Sequence, residues 1–164
     1  MRYTKISMTD VIIAGAGAAG LMAAITAARR GLSVTLLEPN GKTGKKLRIT
    51  GKGRCNVTND SAPQEFLQKV CTNARFLKSS LYAFPPEAVK DFFEEAGVPL
   101  KTERGERVFP VSDNANDIAD TLERMAKSAG VRFVRERLAD IRTESGPVSA
   151  AVTDRNEYPC RAVV

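Results

Sequence analysis

Three glycines and one acid near the start of the chain have the types and spacing that nucleotide binding requires. Gly15, Gly17 and Gly20 follow an apolar run, Val11–Ala14, and Glu38 ends a second apolar run 18 residues after Gly20. The first glycine allows a tight turn out of a strand, the second leaves room for a pyrophosphate, and the third lets a helix pack closely on a sheet. A carboxylate at Glu38 can accept hydrogen bonds from an adenosine ribose, and it disfavours NADP because it repels a 2′-phosphate.

The segments around these residues predict the strand–helix–strand unit that must position them. The alanine-rich segment Ala18–Arg30 has the length of a helix and is flanked by apolar runs. We therefore expect parallel strands at Val11–Ala14 and Val34–Leu37, the first central in the sheet, joined by a crossover helix whose N-terminus faces the phosphates. The alternatives are a glycine-rich turn that binds nothing, and a membrane span or signal peptide over Val11–Ala28. Three glycines and few large aliphatic residues argue against the membrane span.

Composition excludes several classes of function. Hydrophobic residues make up 43% of the 164 residues and charged residues 27%, which is typical of a globular protein that is not embedded in a membrane. The absence of histidine removes the commonest general base and metal ligand, so no metal site is expected. Three cysteines without a C-x-x-C pair argue against a disulfide framework and predict a cytoplasmic location. The net charge of +6 permits an anionic partner.

The rest of the chain predicts further helices and strands around a mainly parallel α/β sheet. Helices are expected over Gln64–Leu81 in pieces, over Pro86–Gly97, and over Asn114–Ala129 with Asp113 or Asn114 as its cap. Leu100–Phe109 is expected to be extended, Val131–Val134 to be a strand, and Leu138–Thr143, Val148–Thr153 and Tyr158–Val164 to be short antiparallel strands. We expect the last of these strands to leave an exposed sheet edge that favours aggregation.

A basic, glycine-rich loop follows Glu38. Between Lys42 and Arg54 there are six basic residues and no acid, interleaved with glycines at 44, 51 and 53. Such a loop can surround an anion with backbone N–H groups and ammonium groups together. A solvated basic loop is the alternative, but the position directly after the acid at Glu38 favours a role in cofactor binding.

The string Gly44–Asn59, which reads GKKLRITGKGRCNVTN, resembles the BaiN/YhiN-type, aminoacetone-oxidase-like family of NAD(P)/FAD-dependent oxidoreductases. Arg107–Ser112 and the helix after it resemble a second block of that family. The resemblance implies a Rossmann-like FAD-binding domain of the two-dinucleotide-binding flavoprotein type with a short antiparallel β-meander. Its cofactor residues would be Gly15, Ala16, Gly17, Ala19 and Gly20 at the pyrophosphate, Glu38 at the ribose, Lys45, Lys46, Gly53, Arg54, Cys55 and Asn56 beside the pyrophosphate and flavin, and Leu138 at the adenine.

Family chains are more than twice as long as this one. Residues 1–164 are therefore expected to be an incomplete FAD-binding domain that is inactive alone, with the substrate domain and the closing turn of the FAD site beyond Val164. The catalytic residues stay unassigned. Cys55 is expected to be structural rather than redox-active, because no second cysteine lies near it in the sequence.

The resemblance implies that the parent enzyme passes a hydride through FAD between NAD(P)H and a small unsaturated or amine-bearing substrate. Reduction of uridine in ribosomal RNA is an alternative that the basic composition permits. An NAD-binding dehydrogenase domain would explain the glycines and Glu38 but not the loop Lys42–Asn59. A non-catalytic nucleotide-binding fragment also stays open, as does the oligomeric state.

Overall fold

The computed structural model describes residues 7–164, which divide into two units. The first unit combines the residues up to Lys45 with Leu122–Val164, and the second is Lys46–Thr121. The strands are β1 (Thr9–Ala14), β2 (Val34–Leu37), β3 (Thr58–Asn59), β4 (Leu100–Glu103), β5 (Arg107–Pro110), β6 (Arg132–Val134), β7 (Leu138–Thr143), β8 (Val148–Thr153) and β9 (Glu157–Val163). The helices are α1 (Ala18–Arg29), α2 (Pro63–Gln68), α3 (Ala74–Ala83), α4 (Pro86–Glu95) and α5 (Ala115–Ser128).

The first unit contains a six-stranded sheet in the order β6-β2-β1-β9-β8-β7. β1 pairs in parallel with β2, with Val11 opposite Val34 and Ala14 opposite Leu37. β2 pairs in parallel with β6, and β1 with β9. The helix α1 crosses from β1 to β2 and buries Leu21, Ala24 and Ile25, whose spacing places them on one face. The expected α/β fold and the central position of β1 are confirmed.

The apolar core of the sheet explains why these runs become strands. Ile12, Leu37, Ala151, Tyr158 and Cys160 form a buried cluster, in which each side chain is at most 2% exposed. Buried parallel strands read as continuous apolar runs because both faces are covered, as Val11–Ala14 and Val34–Leu37 do.

The expectation of an exposed sheet edge at Tyr158–Val164 is wrong. β9 lies between β1 and β8, pairing in parallel with the first and antiparallel with the second, so both of its edges are hydrogen-bonded. β7, β8 and β9 do form the expected antiparallel meander. The edges of the sheet are β6 and β7 instead. The sequence pattern of β9 indicates a strand but cannot show that β1 has a free edge for it.

The second unit contains a three-stranded sheet in the order β3-β5-β4 and the helices α2, α3 and α4. The expected extended run Leu100–Phe109 is two antiparallel strands, β4 and β5, with Lys101 opposite Phe109. The turn between them uses positive φ angles at Gly105 (78°) and Glu106 (57°). α5 begins after Asn114, whose Oδ1 accepts a hydrogen bond from the backbone N–H of Asn116 at 3.0 Å and so caps the helix.

Candidate nucleotide-binding site

Three loops meet at the carboxyl edge of the sheet in the first unit. β1, β2 and β6 run parallel, so Gly15–Gly17, Glu38–Asn40 and Arg135–Arg137 all leave the sheet at the same edge. The backbone N–H of Gly15 donates to the carbonyl of Leu37 at 2.8 Å, which joins the first loop to the end of β2. Ligands of open α/β sheets bind outside the carboxyl ends of the strands, and this edge is therefore the candidate site.

The glycine loop, Gly15–Gly20, is tightly packed at Gly20 and open at Gly17. Gly15 has a φ of 103°, which side-chain-bearing residues rarely adopt. A Cβ on Gly20 would lie 1.9 Å from the carbonyl oxygen of Gly15, so only glycine lets α1 approach the turn this closely. Apart from its chain neighbours, no atom of residues 7–164 lies within 4 Å of the position that a Cβ on Gly17 would occupy. The open space lies at the glycine expected beside a pyrophosphate.

The N-terminus of α1 offers hydrogen-bond donors to a ligand. Gly17 is its N-cap residue, with its carbonyl accepting from Leu21 N at 2.9 Å. No side chain among the described residues caps this end, and the first turn contains no acid. Gly17, Ala18 and Ala19 are exposed. Uncapped N–H groups and the positive end of the helix dipole favour an anion here.

Glu38 holds the glycine loop in addition to facing the site. Its Oε2 accepts from the backbone N–H of Ala16 at 2.9 Å, and its Oε1 accepts from Asn40 N at 2.8 Å and Asn40 Nδ2 at 2.7 Å. Partial burial raises the pKa of this carboxyl, but these hydrogen bonds and the positive charge of Arg137 outweigh burial and lower it overall. An ionised carboxylate has about four acceptor positions, so Glu38 can accept about one further hydrogen bond while holding the loop.

Three residues at this edge were missed by the sequence reasoning. Asn40 donates to Glu38, Arg137 acts on Glu38 electrostatically, and Arg135 places its guanidinium 3.4 Å from the Cβ position of Gly41. Asn40 follows the acid in a Pro-Asn-Gly sequence, which is a turn signal that could have found it. The arginines become candidates only once β6 is known to lie beside β2.

The other expected site residues of the first unit are Lys45 and Leu138. The N–H of Gly44 donates to the carbonyl of Ala16 in the glycine loop at 2.7 Å. Lys45 is exposed and lies close to this loop, because it directly follows Gly44. Leu138 begins β7, and its half-buried side chain packs against the core cluster that contains Ile12 and Leu37. The structure thus brings the glycine-loop residues, Glu38 and Gly44–Lys45 together.

The remaining expected site residues, Lys46, Gly53, Arg54, Cys55 and Asn56, belong to the second unit. Lys46 is exposed. Cys55 is 1% exposed and adopts a φ of 60°. Burial raises the pKa of its thiol, so it is protonated at neutral pH, as a structural cysteine would be. With its amide turned so that the nitrogen faces two backbone carbonyls, Asn56 donates to Thr58 O at 3.0 Å and to Val108 O at 3.2 Å. The side chains of Cys55 and Asn56 are thus engaged within their own unit.

None of the helices in residues 7–164 has both the length and the apolar composition that crossing a bilayer requires.

Residues 9–164 match the family described as HI0933-like protein Rossmann domain. Over 118 residues, or 71% of the chain, the sequence is 35% identical to a 3-dehydro-bile acid delta(4,6)-reductase of Clostridium scindens and covers 28% of that protein. Over 125 residues, or 76% of the chain, it is 33% identical to a ribosomal RNA dihydrouridine synthase of Escherichia coli and covers 30% of it. The chain therefore spans about a third or less of these relatives.

Among solved structures, the fold is similar to that of the 3-ketosteroid-delta4-(5alpha)-dehydrogenase of Rhodococcus jostii, with a TM-score of 0.72 and 20% identity. The similarity covers 98% of this chain and 46% of that protein. At this identity the likeness extends to the fold and no further.

Proposed function

Because the chain belongs to the HI0933-like Rossmann domain family, we propose that it is the FAD-binding part of a flavin-dependent oxidoreductase. The observation that carries the proposal is the glycine loop, which is sealed by backbone at Gly20 and open at Gly17. A loop of this shape before an uncapped helix N-terminus suits a pyrophosphate, since the anion can reach the backbone N–H groups without meeting a side chain.

The residues present fit FAD at its adenosine diphosphate end. Gly15, Ala16, Gly17, Ala19 and Gly20 would line the pyrophosphate, and Glu38 would accept one hydrogen bond from a ribose hydroxyl. Lys45 and Lys46 would add positive charge. By family resemblance, Leu138 would lie at the adenine, and the backbone of Gly53–Asn56 would lie beside the pyrophosphate and flavin. FAD would supply the hydride chemistry when bound, with NAD(P)H proposed as the reductant of the whole enzyme.

A small unsaturated or amine-bearing molecule is the proposed substrate: the family resemblance implies this class, and one relative is named as a reductase of a 3-dehydro-bile acid. We assign residues 1–164 to the FAD-binding domain and expect the substrate-binding part elsewhere in the whole enzyme. A cytoplasmic location stays a prediction from the three cysteines, all of which are free thiols in the structure.

The proposal is tested by titrating the chain with FAD, NAD⁺ or FMN and measuring the heat of binding by isothermal titration calorimetry. We expect saturable binding of FAD in the micromolar range and much weaker binding of NAD⁺ or FMN. Gly17→Val should abolish binding, because a branched side chain would fill the open space. Thr26→Val is the matched control, since it adds valine to an exposed position of the same helix. Equal binding of FAD by Gly17→Val, or tighter binding of NAD⁺ than of FAD, would refute the assignment.

Ribosomal RNA is the second candidate substrate, because one relative is named as a ribosomal RNA dihydrouridine synthase. The double variant Lys45→Ala/Lys46→Ala separates the two roles of the basic loop. If the loop serves the cofactor, this variant binds FAD more weakly and RNA unchanged. If it serves RNA, FAD binding is unchanged and the salt dependence of RNA binding falls by about two phosphate contacts. Arg75→Ala/Lys78→Ala, on the exposed face of α3, is a control of equal charge.

A further inference from the structure

Arg54 lies in the string Gly44–Asn59 that resembles the family, yet its side chain is engaged within its own unit. Its Nε donates to Asp113 Oδ1 at 2.8 Å, and its Nη2 lies 2.7 Å from the same oxygen. Nη2 also donates to Glu103 Oε1. The guanidinium carbon lies 4.1 Å from the centre of the Phe109 ring. Three groups from different parts of the second unit therefore hold one side chain.

The charges of this cluster balance. Lys101 Nζ lies 2.7 Å from Asp113 Oδ2 and 3.5 Å from Glu103 Oε1, so two cations face two carboxylates. The hydrogen bond from Arg54 lowers the pKa of Glu103, and those from Lys101 and Arg54 lower the pKa of Asp113. Both acids are thus ionised at neutral pH. The guanidinium charge is compensated inside the unit, which leaves little of it for a phosphate.

The backbone that Arg54 anchors adopts unusual angles. Lys52 has φ 59° and Cys55 has φ 60°, both in the left-handed region that residues with a Cβ avoid. Hydrogen bonds from Arg54 N to Gly51 O at 3.2 Å and from Cys55 N to Thr50 O at 3.1 Å close the segment on itself. A backbone in this region persists only where surrounding contacts determine it. The anchored side chain of Arg54 stands between the two strained residues.

We propose that Arg54 is a positioning residue, which holds the backbone of Gly53–Asn56 in place for the cofactor through Glu103, Asp113 and Phe109 and does not itself bind the cofactor's phosphates. This role differs from the cofactor contact that family resemblance assigns to Arg54, and its cofactor part rests on the function proposed above. The anchoring can be measured without cofactor, because Cys55 is buried on the same segment.

The first experiment measures the anchoring alone. Asp113→Asn, Glu103→Gln and Arg54→Lys are treated with a thiol reagent, and the labelling of each cysteine is followed by peptide mass spectrometry. We expect Cys55 to be labelled at least about tenfold faster in each variant than in the wild type, the effect of losing a charge-assisted hydrogen bond. Cys160, which is 1% exposed and lies in the first unit, is the internal control and should not change. Unchanged labelling of Cys55 would overturn the proposal.

The second experiment distinguishes positioning from direct phosphate binding by the sign of the effect. If Arg54 positions the segment, Glu103→Gln and Asp113→Asn weaken FAD binding and shift the absorption spectrum of the bound flavin. If Arg54 binds phosphate, removing its competing carboxylates leaves FAD binding unchanged or makes it tighter, and this result would overturn the proposal. Circular dichroism confirms that each variant is folded. A wild-type chain that binds no FAD refutes the proposed function instead, while the labelling experiment still decides whether Arg54 anchors the segment.

Discussion

Replacing Gly20 by alanine tests how closely α1 approaches the turn after β1. The added Cβ would lie 1.9 Å from the carbonyl oxygen of Gly15 and 3.1 Å from its carbonyl carbon. Both atoms belong to the backbone and cannot rotate away. The overpacking should therefore lower the free energy of unfolding by about 3 kcal/mol, near the upper end of the usual range for such substitutions. Alanine recovers about 1 kcal/mol through its helix propensity. We therefore expect a net loss of about 2 kcal/mol in the free energy of unfolding.

The assay is urea unfolding followed by circular dichroism, with thermal melting as a second measure. A loss of about 2 kcal/mol corresponds to a fall of about 4–8 °C in the melting temperature of a domain of this size. The matched control is Gly17→Ala, at φ −80° and ψ −174°, where any residue is allowed and the Cβ position is open. We expect it to change stability by less than about 1 kcal/mol. If Gly20→Ala were as stable as Gly17→Ala, the tight packing inferred at Gly20 would be refuted.

Three further results are expected from single residues. Asn114→Ala should lower the free energy of unfolding by about 1 kcal/mol through loss of the cap of α5, whereas Asn114→Asp should not; equal stability of the two variants would contradict the cap. Glu38 has a lowered pKa, so its contribution to stability is present above its ordinary value of 4.5 and is lost as the pH falls through its folded-state pKa. The free energy of unfolding in urea should therefore depend less on pH in this acid range in Glu38→Gln than in the wild type. An unchanged pH dependence would count against the contact between Glu38 and the glycine loop. The exposed Cys71 should react with a thiol reagent in seconds to minutes, whereas Cys55 and Cys160 should react much more slowly without denaturant. Equally rapid labelling of all three would show that the buried sites open readily.

The βαβ unit could be predicted from sequence because its determinants are local. Val11–Ala14, the glycine triplet and Val34–Leu37 specify a strand, a turn and a second strand within about thirty residues, the usual size of such a unit. The helix expected over Pro86–Gly97 is observed over Pro86–Glu95, and it could be predicted for the same reason, because a proline stands at its start and a glycine follows its end. The family, predicted from the string Gly44–Asn59, is confirmed by the match over residues 9–164.

Tertiary structure alone decided which distant segments meet. The sequence indicates a strand at β9 and places it at an edge of the sheet, but in the structure β9 pairs with β1, and this pairing puts β9 inside the sheet. In the sequence, Arg54 is one basic residue of a basic loop. In the structure, its charge is compensated by Glu103 and Asp113, which are remote from it in the sequence. The side chain of Glu38 likewise acquires the backbone of Ala16 as a partner only when β1 and β2 lie side by side. Residue type and local spacing determine which elements form and which groups could bind a nucleotide. The pairing of strands determines which charges remain free, because a charge is compensated by the groups that folding brings within hydrogen-bond distance.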